Sequence, residues 1–175
     1  MSRPVPVRVP AMVARLLLVA ILAFGLAGVL ASPAEAAKPA VKFGKWQADY
    51  KGTKVSDLPI TNTKLNGEYI VVVNTTGKAI NLTGYRITDR YKKHSWTFPK
   101  NFVLKAHASV TIHTGKGKNT KKDLYMNQVV KGAKKPALRG YVWNNSGDTA
   151  QLRNKKGTVV HTCVYKKTKS GYRNC

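Results

Sequence analysis

From Glu68 onward the chain alternates short apolar runs with clusters of turn-forming residues, and the apolar spacing is two, the period of a strand with one face turned inward. Ile70-Val71-Val72-Val73 is apolar at every position, which predicts a central strand covered on both sides. Asn74 to Lys78 supplies a turn, and Leu82 to Ile87 returns with Tyr85 and Ile87 inward. Trp96 and Phe98 share one face of the next run, which Pro99 limits. Val110 and Ile112 point inward within Ser109 to His113, and Ala150 and Leu152 alternate with Gln151 and Arg153. After a turn at Asn154 to Gly157, the β-branched run Thr158 to Tyr165 forms the last strand. Upstream, Val41 to Tyr50 predicts one strand carrying Phe43 and Trp46, and the polar stretch from there to Leu65 reads as loop. Between these runs no helical period of useful length appears. The pattern predicts an all-β chain, an immunoglobulin-like β-sandwich of about seven strands. Gln128 to Gly140 breaks the strand rhythm with four basic residues and no acid, and reads as a mobile loop.

The beginning of the chain follows a different rule. Arg3, Arg8 and Arg15 precede an uncharged run from Leu16 to Ala31, too short for the roughly 20 residues of a spanning helix. Ala34 and Ala36 then offer the small residues a signal peptidase accepts. Residues 1–36 are therefore expected to be a cleaved signal peptide and 37–65 a leading strand with linker. The sandwich is expected over 66–165 and a basic tail over 166–175. Export gives the cysteines a context: Cys163 and Cys175 are the only two, and secreted chains pair an even count. A disulfide between them is expected to pin the tail to the last strand.

Composition sharpens the functional question. The 175 residues include 31 Lys and Arg against 7 Asp and Glu, a formal charge of +24. Removing residues 1–36 takes away three Arg and one Glu, so the leader does not account for the excess.

The order and spacing of several motifs resemble those of the lamin-tail domain, an immunoglobulin-like module found also in exported bacterial proteins. The resemblance runs from Tyr69 to Tyr165. It is carried by Gly67-Glu68-Tyr69-Ile70-Val71 with Asn74, by Leu82-Thr83-Gly84-Tyr85, by Phe98-Pro99 and by His113-Thr114-Gly115-Lys116-Gly117. Asp123-Leu124-Tyr125, then Trp143-Asn144-Asn145-Ser146-Gly147-Asp148-Thr149-Ala150-Gln151-Leu152, then Gly157 and Val159 complete it. Most of these residues have architectural reasons. Asp148 is placed to accept backbone N–H bonds in a tight turn, and Trp143 to anchor the core or a corner. Tyr85 stands where similar bacterial domains usually have Trp.

Catalytic chemistry finds little material. His94, His107, His113 and His161 show no metal-ligand spacing, and Asp49, Asp57, Glu68, Asp89, Asp123 and Asp148 are scattered. Gly115-Lys116-Gly117-Lys118 lacks the spacing of a phosphate-binding loop and the following helix. No cofactor or metal is expected, and the chain reads as non-catalytic.

The basic residues group as Lys116, Lys118, Lys121 and Lys122, then Lys131, Lys134, Lys135 and Arg139, then Lys155 and Lys156, then Lys166 and Lys167 with the tail. Two functional readings follow. In one, these loops adhere without sequence preference to a polyanion, either DNA, an anionic cell-wall polymer or, by surface electrostatics, a membrane. The predominance of lysine suits point-charge attraction more than bidentate base reading. In the other, the charge serves solubility and the domain is a structural or protein-interaction module. Both place the protein outside the cell or on its surface.

Overall fold

The structure is a computed structural model that describes residues 38–52, 56, 58–128 and 140–175. The expected leader at 1–36 and residues 129–139 of the expected mobile loop lie outside these residues, and residues 37–175 form a compact unit by themselves. Eleven strands and one short helix follow in order: β1 Val41–Gln47, α1 Asn62–Gly67, β2 Tyr69–Asn74, β3 Ile80–Asn81, β4 Arg86–Thr88 and β5 Ser95–Thr97. Then come β6 Val103–Leu104, β7 Ser109–His113, β8 Asp123–Tyr125, β9 Gly147–Arg153, β10 Val159–Lys166 and β11 Tyr172–Asn174. One sheet has the order β11-β1-β2-β7-β8, the other β10-β9-β4-β5, and β3 with β6 forms a two-stranded ribbon. This is the expected immunoglobulin-like sandwich, with more strands than the pattern revealed because six of them are only two or three residues long.

Its core is built by alternation. Phe43, Trp46, Ile70, Val72, Val110, Ile112 and Leu124 face inward from the first sheet, and Ile87, Ala150, Leu152, Cys163 and Tyr165 from the second. Trp143 bridges them, its ring packing edge-on against Trp46 at 4.8 Å. Ring pairs in this geometry add to the free energy of area burial.

Three local expectations are corrected. Asn62 to Leu65, read as loop, lie in α1, whose N-cap Thr61 accepts a hydrogen bond from the Lys64 backbone N–H at 3.2 Å. A helix this short, burying Leu65 alone, leaves no period to detect. The run Leu82 to Ile87 is not one strand: Tyr85 N–H bonds back to Leu82 C=O at 2.9 Å, and this turn separates β3 from β4. Finally, β2 is central but not covered on both sides. Ile70 and Val72 are buried, whereas Val71 and Val73 are half-buried on the outer face, where they lean over Gly44 of β1.

The leading segment and the tail both enter the same sheet. β1 pairs with β2 along one edge and with β11 along the other, with Trp46 opposite Arg173 and Gln47 opposite Tyr172. Beyond the reach of β11, Cys175 N–H bonds to Gly44 C=O, and His161 Nδ1 accepts the Phe43 N–H at 3.3 Å. The Cys163–Cys175 disulfide, with Cα atoms 5.8 Å apart, ties this closure to β10. Such a short loop stabilises by about 2 to 3 kcal/mol on the chain-entropy account. It also covers backbone groups that an open edge strand would expose to other chains.

His161 gives the closure a pH dependence. Burial, followed by the nearby Lys42 charge, lowers its pKa from the ordinary 6.5. Below pH 6.5 the unfolded chain therefore takes up a proton that the folded chain refuses, and stability falls with pH until the folded pKa is reached. The urea midpoint of the wild type is expected to drop between pH 7.5 and 5.5. His161→Gln, which keeps an acceptor for Phe43 N–H and cannot titrate, is expected to show a smaller drop.

Candidate nucleic-acid and polyanion interface

The two ends of the sandwich differ. At one end β2 begins at Tyr69 opposite His113, directly after α1, and β9 begins at Gly147 opposite Lys166. At the other end β2 finishes at Asn74, β7 begins, and the β9–β10 hairpin turns. These are called here the helix end and the hairpin end.

The hairpin end is a set of turns, each fixed by a side chain that replaces missing ladder bonds. Asn154 Oδ1 accepts from the N–H groups of Lys156 and Thr158, both at 3.0 Å, leaving Lys155 and Lys156 exposed at the tip. Gly157 completes that turn with φ +89°, a conformation L side chains rarely adopt, and its carbonyl accepts from Arg153 Nη1 at 2.9 Å. Thr120 Oγ1 accepts from Lys122 N–H at 3.1 Å and Asp123 N–H at 2.9 Å, which shapes the turn carrying Lys121 and Lys122. The fully buried Asn74 reaches three carbonyls through one amide nitrogen, those of Lys78 at 2.7 Å, Lys105 at 2.9 Å and Leu104 at 3.2 Å.

Two grooves meet at this end, sharing Asn101. One, of about 910 Å³, runs beside β6 and the start of β7, with Lys105, Lys121, Lys122 and His107 around an apolar floor. The other, of about 450 Å³, carries Lys100, Lys155 and Lys156. Lys78, Lys100 and Lys105 join the cluster only in three dimensions. Each stands alone in sequence between strands, so only knowledge of the strand order could have grouped them with Lys121, Lys122, Lys155 and Lys156.

The remaining sequence candidates are elsewhere. Lys116 is held at the helix end, where Asn62 Nδ2 and Asn66 Nδ2 both donate to its carbonyl. Lys118 follows Gly117, which lies against the Tyr125 ring beside β8. Lys166 and Lys167 are at the helix end of β10, about 23 Å along the strand from Val159. Lys131, Lys134, Lys135 and Arg139 lie outside the described residues.

Basic residues occur at both ends, whereas the carboxylates concentrate at one. Among the described residues, Asp49, Glu68, Asp89 and Asp148 all sit at the helix end: Asp49 follows β1, Glu68 precedes β2, Asp89 follows β4 and Asp148 is the second residue of β9. Asp123 alone borders the larger groove, and its Oδ1 is 3.2 Å from His113 Nε2. A similar histidine–carboxylate contact joins His94 and Asp89 at 3.0 Å. A groove of about 470 Å³ at the helix end carries Asp89 and Asp148 together with Arg90 and Lys93, and so presents both signs. The lysines of the hairpin end thus project from acid-poor turns, the arrangement that builds positive potential over a surface.

Glu68 has a structural task. Completely buried, its carboxylate accepts the N–H of Trp143 at 2.7 Å through Oε1 and that of Val142 at 3.1 Å through Oε2. Asp148 likewise serves its own turn, accepting from Thr149 N–H at 2.7 Å and Asn144 N–H at 3.1 Å. Among the described residues no three His, Cys, Asp or Glu side chains converge on a common point.

No curated protein matches the sequence. The lamin tail domain family matches residues 37–167, about three quarters of the chain, and this span begins upstream of the Tyr69 to Tyr165 motifs at the segment that supplies β1. With the sandwich, its buried Glu68 and its Trp143 anchor in place, the chain belongs to the lamin tail domain family.

Proposed function

We propose that this chain is an exported, non-catalytic binding module that adheres without sequence preference to polyanions, DNA or an anionic cell-surface polymer, through its hairpin end. One observation carries the reading: seven lysines gather on that end while four of the five described side-chain carboxylates lie at the other. Lysine turns fixed by Asn154, Thr120 and Asn74 present charge on ordered backbone, so neutralising phosphates costs less ordering than a disordered basic tail would. The basic leader pattern and the disulfide support export to an oxidising compartment.

Adhesion of this kind is driven by release of condensed counterions. Contact with about six phosphates gives a slope of about −5 for log K against log salt with duplex DNA. The purified protein is expected to be retained on heparin at physiological salt and to show that slope with any duplex sequence. Failure to be retained removes the polyanion reading and favours the charge as a solubility device on a protein-interaction module.

A further inference from the structure

The larger groove has a feature that a bare phosphate chain does not use. Its floor is formed by Phe102, Val103 and Ala108, and Val103 is 53% exposed although it stands in the ribbon strand β6. Lys105, Lys121 and Lys122 line the same groove. At about 910 Å³ the groove falls in the size range of small-molecule sites, roughly 300 to 1,000 Å³, which combine apolar lining with a few charged groups. A polyanion would engage the lysines and leave the floor wet. A ligand with both an alkyl body and an anionic head would cover the floor and meet the lysines together. The one carboxylate in the lining, Asp123, is bonded to His113 and leaves the three lysines in excess.

We propose that this groove binds a single-chain amphiphile with an anionic head group, its alkyl chain on Phe102, Val103 and Ala108 and its head at Lys121, Lys122 and Lys105. The proposal deepens the polyanion reading of the same end and rests on it for the anionic half of the ligand. The exposed lysine stems add apolar contact beside their charges.

The test is calorimetric titration of the full chain with octyl phosphate, inorganic phosphate and octyl glucoside, each below its micelle concentration. Octyl phosphate is expected to bind at least about tenfold more tightly than either of the others, the effect of burying about two methylene groups. Val103→Asp is expected to bring octyl phosphate to the level of inorganic phosphate. Changing Lys105, Lys121 and Lys122 together to Gln is expected to bring it to the level of octyl glucoside. Val103→Asn replaces the aspartate variant if the latter melts early. Equal affinity for octyl phosphate and inorganic phosphate, or a preference that survives both Val103 variants, overturns the proposal. Heparin chromatography of the same protein separates the two readings. Retention without an octyl phosphate preference overturns the amphiphile alone, whereas a preference without retention overturns the polyanion reading alone.

Discussion

Replacing Glu68 with Ala is expected to cost about 3 to 5 kcal/mol of folding stability, read as a fall in the urea midpoint at unchanged slope. The reason is the position of its carboxylate. Val142 and Trp143 re-enter the sandwich with their N–H groups turned inward, and the Glu68 oxygens are the acceptors that meet them. Truncation removes acceptors from two buried donors and opens a cavity beside Trp143, whose ring abuts Trp46. A loss of that size is a large fraction of the 5 to 15 kcal/mol typical of a domain. Glu68→Gln retains one acceptor oxygen but turns an amide N–H₂ toward the second donor, so it is expected to cost roughly 1 to 3 kcal/mol. An Ala variant within about 1 kcal/mol of wild type would show that the carboxylate is dispensable to the fold.

The second large effect is expected at Asn74. Its Nδ2 donates toward the carbonyls of Lys78, Leu104 and Lys105, while Oδ1 accepts from the N–H and hydroxyl of Thr76 at 2.9 and 2.8 Å. Asn74→Asp preserves shape and the Thr76 contacts but turns an acceptor toward three carbonyl oxygens in a buried place. The expected loss is about 3 to 4 kcal/mol, the cost of unsatisfied and repelling buried polar groups. The functional consequence follows from the same geometry. Asn74 holds together the turns that carry Lys78 and Lys105, so the variant is also expected to weaken heparin retention more than Glu68→Gln does. Equal retention of the two variants would separate the lysine cluster from the Asn74 network.

The sequence made the sandwich legible because its longer strands alternate cleanly: Val110 and Ile112, Ala150 and Leu152, and Cys163 and Tyr165 are all buried as period two requires. Four of the six shortest strands escaped for a physical reason. β3, β6, β8 and β11 are too short to carry a period, and they exist because neighbouring strands and side-chain caps hold them. Ile70 to Val73 misled in a related way, since an apolar residue on the outer face is half-covered by lateral neighbours without a second layer. The disulfide was legible from two cysteines and a leader pattern. The candidate interface was legible only in part. Adjacent lysines such as Lys121 with Lys122 and Lys155 with Lys156 announce themselves, but their convergence with Lys78, Lys100 and Lys105 depends on strand order. The same strand order carries Lys116, Lys166 and Lys167 to the opposite end. Glu68 and Asp148, scattered along the chain, proved to be backbone acceptors at turns and returns.

The central claim is that charge at the hairpin end, not total charge, determines adhesion. Its most direct measurement is the salt dependence of duplex DNA affinity for two variants of matched stability. One carries Lys105, Lys121, Lys122, Lys155 and Lys156 changed to Gln, and the other carries Lys166, Lys167 and Lys169 changed to Gln at the helix end. The first is expected to lose about four units of slope and the second to stay within about one unit of wild type. Slopes that flatten in proportion to the number of lysines removed, whichever end they come from, would contradict the account and show a uniform basic shell.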